Sequence, residues 1–313
     1  MKPDDLFRRL YLIRRVEEEI ARVYSSDKIQ SPVHLSIGQE LASVAVCGAL
    51  APSDKVFGSY RSHALYLAKG GNLRAFLAEL YGKSTGCARG KGGSMHMVEA
   101  SAGLLGTSAI VGSLIPVAVG YAWAQKRLGT GVVTAVFFGD GAAEEGCFFE
   151  AMNFAALHKL PILFVCENNG YAITSPIVDR QSSSIERRAR AFGLMASSPF
   201  TFEETVHWSR IWVDQVRRGD GPGLLEITSQ REREHVGPAE DWAHGYRARD
   251  PEWEDPLVLA ANGVPGIPGM PAIPIKTQER IRAEVDAEIA DAFAFAESSP
   301  VPGPDELMEH LYA

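Results

Sequence analysis

The sequence holds no paired cysteines. Cys47, Cys87, Cys147 and Cys166 are its four cysteines. Scattered singly, without a CxxC spacing, they exclude a zinc ribbon or a disulfide framework and fit a reducing compartment. No apolar run approaches the length needed to cross a bilayer. The start, Met1-Lys2-Pro3-Asp4-Asp5, lacks the basic residues and apolar stretch of a secretory signal, so a cytoplasmic protein with no membrane partner is expected. There is no surplus of positive charge either. A net charge of −8 argues against nucleic acid or an anionic membrane as the main partner. Two phosphate-binding patterns are incomplete. Gly139-Asp140-Gly141 runs on into Ala142-Ala143-Glu144 and so misses the third glycine of GxGxxG, and Gly86 to Gly92 has neither the spacing nor the Lys-Ser/Thr pair of a P-loop. No tandem repeat is present.

What remains is an ordinary enzyme-like composition. With 313 residues, 46% hydrophobic and 22% charged, the chain can bury a large core. One α/β domain over 1–313 is expected, with an N-terminal helical arm over about 5–50 and a C-terminal proline-rich segment plus helix over about 257–313. Leu6, Leu10, Ile13, Val16, Ile20 and Val23 recur at helical spacing and predict a helix over 5–25. A connector and a second helix follow between His34 and Leu50. Glycines over 82–95 predict a loop. Pro116 opens a helix that Gly129 and Gly131 stop. Residues 132–138, 146–158 and 162–167 read as strand, helix and strand, a βαβ unit that implies a parallel sheet flanked by helices. Thr201-Phe202-Glu203-Glu204 is a capping box, opening a helix to about Arg218. A strand is predicted over 224–227, a long functional or mobile loop over 229–256, a proline-rich stretch over 263–275 that is neither helix nor central strand, and a last helix over 277–296.

The informative strings are Gly139-Asp140-Gly141 and Asn168-Asn169, each at the end of an apolar strand-like run. Two strands of one sheet would deliver Asp140 and Asn169 to the same sheet edge. One carboxylate and one neutral amide oxygen beside glycine-bared backbone suit a hard cation such as Mg²⁺, which takes six oxygens and shares them between protein groups and phosphate. Gly170 relaxes the backbone, so that the Tyr171 carbonyl can turn inward.

The blocks around these strings resemble the α subunit of the thiamin diphosphate-dependent 2-oxo acid dehydrogenase E1 family, which acts on pyruvate, branched-chain 2-oxo acids or acetoin. They are His34-Leu35-Ser36-Ile37-Gly38-Gln39-Glu40, Tyr60-Arg61-Ser62-His63, Gly90-Lys91-Gly92-Gly93-Ser94-Met95-His96-Met97, Ile110-Val111-Gly112, Gly139 to Gly146 and Glu167-Asn168-Asn169-Gly170-Tyr171-Ala172-Ile173. The resemblance runs in family order from about residue 6 to 312. It implies the family's diphosphate-binding fold and a site clamped at two ends. By resemblance, Asp140, Asn169 and the Tyr171 carbonyl hold Mg²⁺. Tyr60 and Arg61 hold the diphosphate, a task for which a guanidinium fork is suited. Gly141 and Ala142 give backbone contacts to phosphate, and Ala109 and Val111 lie near the aminopyrimidine. The resemblance further implies that a separate β subunit supplies the glutamate facing the pyrimidine, in an α2β2 assembly, and that the chain is inactive alone. A small 2-oxo acid would be the substrate and a lipoyl acyltransferase E2 the acyl acceptor.

Among eight histidines, His158, His207 and His310 fall in family-neutral stretches. His34 matches a position lining the E1 active site and is expected, with His235, among the catalytic residues. The roles of His63 and His96 stay open between packing and phosphate contact. Arg231-Glu232-Arg233-Glu234-His235 resembles the family's Arg-x-Arg-x-His at the head of the catalytic loop, which gives His235 a part in proton or acyl transfer. The sequence departs from the family just after it. No serine occurs between 230 and 252, so the family's phosphorylation switch is expected to be missing. The loop up to Tyr246-Arg247 is longer, and Ser31-Pro32-Val33 replaces the usual Gly-Phe before His34. The altered loop keeps a second reading open, an acetoin-cleaving or carboligating enzyme on the same cofactor; a third, a non-catalytic nucleotide-binding or scaffold protein, is opposed by intact Asp140, Asn169 and His235.

Overall fold

A computed structural model of the chain describes residues 1–264 and 270–309. Pro265 and Pro268 of the proline-rich segment, and His310, lie outside them. The elements in chain order are α1 (Pro3–Val23), α2 (Glu40–Ala49), β1 (Lys55–Ser59), α3 (His63–Ala68), α4 (Leu73–Leu80), β2 (Leu104–Ser108), α5 (Leu114–Leu128), β3 (Thr134–Gly139), α6 (Gly146–Leu157), β4 (Ile162–Asn168), β5 (Tyr171–Ala172), β6 (Ser175–Pro176), α7 (Ile185–Ala191), β7 (Met195–Ser197), α8 (Phe202–Arg218), β8 (Gly223–Thr228), α9 (Pro256–Asn262) and α10 (Ile275–Ser298).

Six strands form one sheet in the order β2-β1-β3-β4-β8-β7, and every pairing in it is parallel. Strands buried on both faces need continuous apolar runs, and Thr134 to Phe138 and Ile162 to Cys166 are such runs, all buried. Their side chains alternate between faces. Ala135, Phe137, Leu163, Val165, Leu225 and Ile227 join a core shared with α1, α2, α4, α8 and α10. Val136, Phe138, Ile162, Phe164, Cys166 and Leu224 join a second core with α5, α6 and α7. The sheet is therefore sandwiched between two helical layers.

The predicted βαβ unit is β3-α6-β4, and the capping box at Thr201 and Glu204 is formed, with both reciprocal bonds present. α5 starts at Leu114, ahead of Pro116. The proline costs nothing there, because first-turn amides have no partner inside a helix. The short strands β1 and β2 are each interrupted by a glycine, Gly58 and Gly106; this breaks the pattern that would have announced them.

Strand order also positions the site. β2 lies on one side of β1, and β3 returns to the other. The chain leaving β1 turns to α3 in the first helical layer, and the chain leaving β3 turns to α6 in the second. Loops that part in opposite directions open a crevice at the carboxyl ends of the strands, where ligands of open α/β sheets bind.

The glycine-rich segment 86–93 has no regular structure. Glu79, fully buried at the end of α4, organises it. One carboxylate oxygen accepts from the amides of Ala88 and Gly90, both at 2.8 Å. The other accepts from Gly92 at 2.8 Å and Gly93 at 3.0 Å. Removing this acceptor orphans four part-buried donors. Glu79→Ala is expected to cost about 3 kcal/mol, measured as a fall in the urea midpoint; an unchanged midpoint would refute this account of the loop.

Candidate active site

A cavity of about 340 Å³ lies at the carboxyl ends of the strands. The loops after β1, β2, β3, β4 and β8 line it, together with the segment before α2. His34, Tyr60, Arg61, Ala109, Val111, Asp140, Gly141, Ala142, Asn169, Tyr171 and His235 all border this one space. The other histidines among the described residues do not. His63 is buried in the core, with Nε2 2.7 Å from the Ser94 hydroxyl and Nδ1 3.2 Å from Glu17, while His96, His158 and His207 are exposed.

The register of β3 against β4, Phe138 beside Cys166 and Gly139 beside Glu167, brings the two strands to an end at the same level. Asp140 and Asn169 leave the sheet from there. The Asp140 carboxylate is 1% exposed, and a charge so buried requires a partner. Its partner is Arg180, whose guanidinium spans Asp140 and Glu144. Gln181 adds bonds of 3.0 Å to the Asp140 carbonyl and 2.9 Å to Glu144. Burial raises the Asp140 pKa, and the hydrogen bond from Arg180 opposes that rise. Across the cavity wall, the Asn169 Oδ1 accepts from the Tyr171 amide at 3.1 Å, a turn that Gly170 permits with a φ of +81°. Gly141 lies so close to Ala172 that an added Cβ would meet the Ala172 Cβ at 3.0 Å.

At the other end stand three rings. His34 lies 4.4 Å from Tyr60 and 5.2 Å from His235, and Tyr60 lies 5.5 Å from His235, centroid to centroid. Beneath them Arg61 donates to the Leu35 carbonyl at 2.7 Å and to the His235 carbonyl at 3.0 Å. Burial lowers the Arg61 pKa to about 10, which leaves it charged at neutral pH. Burial, and then the charge of Arg61, push His34 down to about 3 and His235 to about 4. Both imidazoles are therefore neutral at physiological pH. Nδ1 of His34 is buried without a partner among the described residues.

Two residues that sequence reasoning gave no role, Arg231 and Glu167, also line the cavity, and others brace it from behind. Arg231, 1% exposed, sits in the quoted Arg-x-Arg-x-His string. It donates to both Asp241 oxygens at 3.0 Å, to the Ile173 carbonyl at 2.9 Å and to the Tyr246 hydroxyl. Arg247 also pairs with Asp241, at 2.6 Å, and lies over the Tyr171 ring. Burial pushes Asp241 upward, but hydrogen bonds from Arg231 and Tyr246 outweigh it and hold the carboxyl below its ordinary range. The loop after His235 is thus fastened at its middle, and nothing in the sequence announced Asp241 as the fastener. Glu167, at the end of β4, is raised to about 7 by burial, against the Ser43 hydroxyl and Arg61. Arg180 had no sequence signal, because its function depends on a loop folding back.

The donor set fits a hard cation and a diphosphate. A buried carboxylate already neutralised by a cationic group, an amide oxygen with a lone pair to spare and a buried guanidinium are complementary to Mg²⁺ and to phosphate. No cluster of three or more His, Cys, Asp or Glu able to hold a metal occurs among the described residues. A site built from one carboxylate and neutral oxygens needs no such cluster.

A family model described as "Dehydrogenase E1 component" matches residues 8–305. The chain belongs to this family. It is 38% identical to the pyruvate dehydrogenase E1 component subunit alpha of Zymomonas mobilis, over 98% of this chain and 87% of that protein. It is 36% identical to the chloroplastic subunit alpha-3 of Arabidopsis thaliana, over 99% of this chain and 74% of that one. With the Rickettsia prowazekii subunit alpha the identity is 33%, over 98% of this chain and 94% of the relative. The span from Val236 to Arg247 of this E1 family member carries the loop departures noted above, and its fastening is testable.

Asp241→Ala leaves the Arg231 guanidinium buried without its carboxylate. Limited trypsin digestion should then cut after Arg247 and Arg249 severalfold faster than in the parent; equal rates would show that the loop is held otherwise. In the cofactor-free protein the His235 ring should titrate near pH 4 in NMR spectra, and protonation near the ordinary value of about 6.5 would contradict the burial seen here. Because its folded pKa is depressed, the unfolded chain binds more protons between those two values, so acidification through that window should destabilise the fold.

Proposed function

We propose that this chain, an α subunit of the thiamin diphosphate-dependent 2-oxo acid dehydrogenases, works as the diphosphate-binding half of a pyruvate dehydrogenase E1. The observation that carries this reading is the convergence of Asp140 and Asn169, at the ends of adjacent parallel strands, on one cavity with Tyr60, Arg61, His34 and His235. The relatives cited are pyruvate dehydrogenase subunits, which does not favour acetoin cleavage or carboligation. The populated cavity speaks against a non-catalytic scaffold.

Bound thiamin diphosphate supplies an electron sink for the loss of CO₂ from a 2-oxo acid. Asp140, Asn169 and the Tyr171 carbonyl would hold Mg²⁺, with the metal taking over from Arg180 as counter-charge to Asp140. Tyr60, Arg61 and the backbone of Gly141 and Ala142 would hold the diphosphate, and Ala109 and Val111 would border the pyrimidine. His235, neutral and beside the diphosphate end, can accept or deliver a proton at its ring nitrogen. A nearby dianion raises its pKa toward the working range. His34 packs against the Tyr60 and His235 rings and fixes their places.

The cavity opens toward Ile110 and Val111, 70% and 45% exposed, and the exposed face of α5 continues with Val117 and Trp123. An apolar strip adjoining a half-built site marks a partner surface. The partner in this reading is a β subunit that supplies the pyrimidine-side glutamate in an α2β2 assembly, and a lipoyl acyltransferase E2 takes the acyl group. No helix among the described residues is long and apolar enough to cross a membrane, and the reading places the chain in the cytoplasm.

The test is reconstitution with the β partner. Asp140→Ala should abolish Mg²⁺-dependent thiamin diphosphate binding in calorimetry. His235→Ala should keep that binding while slowing reductive acylation of a lipoyl domain by roughly 10²- to 10⁴-fold. Undiminished cofactor affinity in the first variant would overturn the metal assignment, and full turnover in the second would remove His235 from the chemistry.

A further inference from the structure

Gln39 is 2% exposed and borders the cavity between the segment before α2 and the end of β8. Its place is dictated locally. The Gln39 amide donates to the Ser36 carbonyl at 2.8 Å, closing a turn whose third residue, Gly38, has a φ of +88°, as a type II turn demands. A side chain at Gly38 would collide with the Gln230 carbonyl. Gly38 is held from the other side, where its amide donates to Glu40 at 3.0 Å and Glu40 pairs with Arg14 at 2.5 Å.

The Gln39 side chain meets Asn169. Nδ2 of Asn169 donates to Oε1 of Gln39 at 2.8 Å, and the Ser229 hydroxyl lies 3.4 Å from the same oxygen. Nε2 of Gln39 is buried with no partner among the described residues. The direction of this chain of amides follows from one group that has no choice. The Tyr171 backbone N–H can only donate, so Asn169 must turn its oxygen toward it. The Asn169 NH₂ then faces Gln39, which must answer with oxygen and forgo a partner for its own NH₂. An amide that leaves a buried donor unpaired, at a cost of about 1–3 kcal/mol, is held by what its oxygen accepts. With the Asn169 amide fixed in this sense, the second lone pair of its Oδ1 is left free.

We propose that Gln39 is a positioning residue for the cation site: it locks the Asn169 amide with its oxygen, not its nitrogen, available to the metal. This inference rests on the reading of Asp140 and Asn169 as Mg²⁺ ligands. Partners that orient a metal ligand typically set affinity within a range of about 10- to 100-fold. Gln39 touches neither substrate nor cofactor in this assignment.

The test uses the αβ assembly with thiamin diphosphate and Mn²⁺ as the probe, free Mn²⁺ being read by electron paramagnetic resonance. Gln39→Met keeps the volume and removes the acceptor; it should weaken Mn²⁺ binding about 10- to 100-fold. Gln39→Glu restores an acceptor at the same reach and should bind Mn²⁺ at least as tightly as the parent. A general structural defect would weaken both variants alike, so rescue by glutamate separates orientation from packing. Should Gln39→Met not fold, Gln39→Asn, which draws the oxygen back from Asn169, carries the same expectation. Parental Mn²⁺ affinity in the variant without the acceptor, or equal losses in the methionine and glutamate variants, would overturn the proposal. If Asp140→Ala loses Mn²⁺ in the same assay, that failure belongs to Gln39 alone; if Asp140→Ala also keeps it, the metal reading itself falls.

Discussion

A carboxylate stripped of water at the end of a central strand is the constraint on which the site turns. Asp140 cannot stay ionised in that place without positive charge beside it, and the fold meets the need from within through Arg180. The arrangement follows from the parallel register of β3 and β4, which brings Gly139 level with Glu167 and so sets the two following loops side by side. A slip of one residue would send every side chain of β4 to the opposite face and scatter the site together with the core. Packing and chemistry are therefore specified by the same ladder.

Around that point the protein gathers charge without letting it titrate freely. Arg61, buried, and Arg231, locked to Asp241, both lie within electrostatic reach of His235. Their charges, together with burial, keep both cavity imidazoles neutral. A pocket so prepared holds fixed positive charge for an anionic group and proton carriers in their basic form. Burial does the larger part in each case, so the state of the histidines depends on the cavity remaining closed by its loops.

Much of this was legible in the sequence. The strands expected over 132–138 and 162–167 form at Thr134–Gly139 and Ile162–Asn168 and stood out because central parallel strands are apolar on both faces, and the glycine and asparagine strings at their ends pointed to the cavity. The eleven residues read from family blocks border a single cavity. Illegible were the parts whose meaning depends on distant partners. Gly58 and Gly106 hid two strands. Arg180 reads as a loop arginine until its segment folds back on Asp140. Asp241 reads as one more acid in a polar stretch until Arg231, Tyr246 and Arg247 converge on it. Pairings of this kind have no local period to betray them.

The bond pair made by Arg61 bears on how the molecule comes into being. One guanidinium joins Leu35, near the start of the chain, to His235, far along it. β8 must also slip between β4 and β7, both made earlier. During vectorial synthesis the edge of β4 therefore stays bare until β8 has left the ribosome, and the ring cluster stays unassembled until His235 follows it. A nascent chain of this design is at its most adhesive between the emergence of β4 and that of β8, which is the interval in which a chaperone would have most to shield.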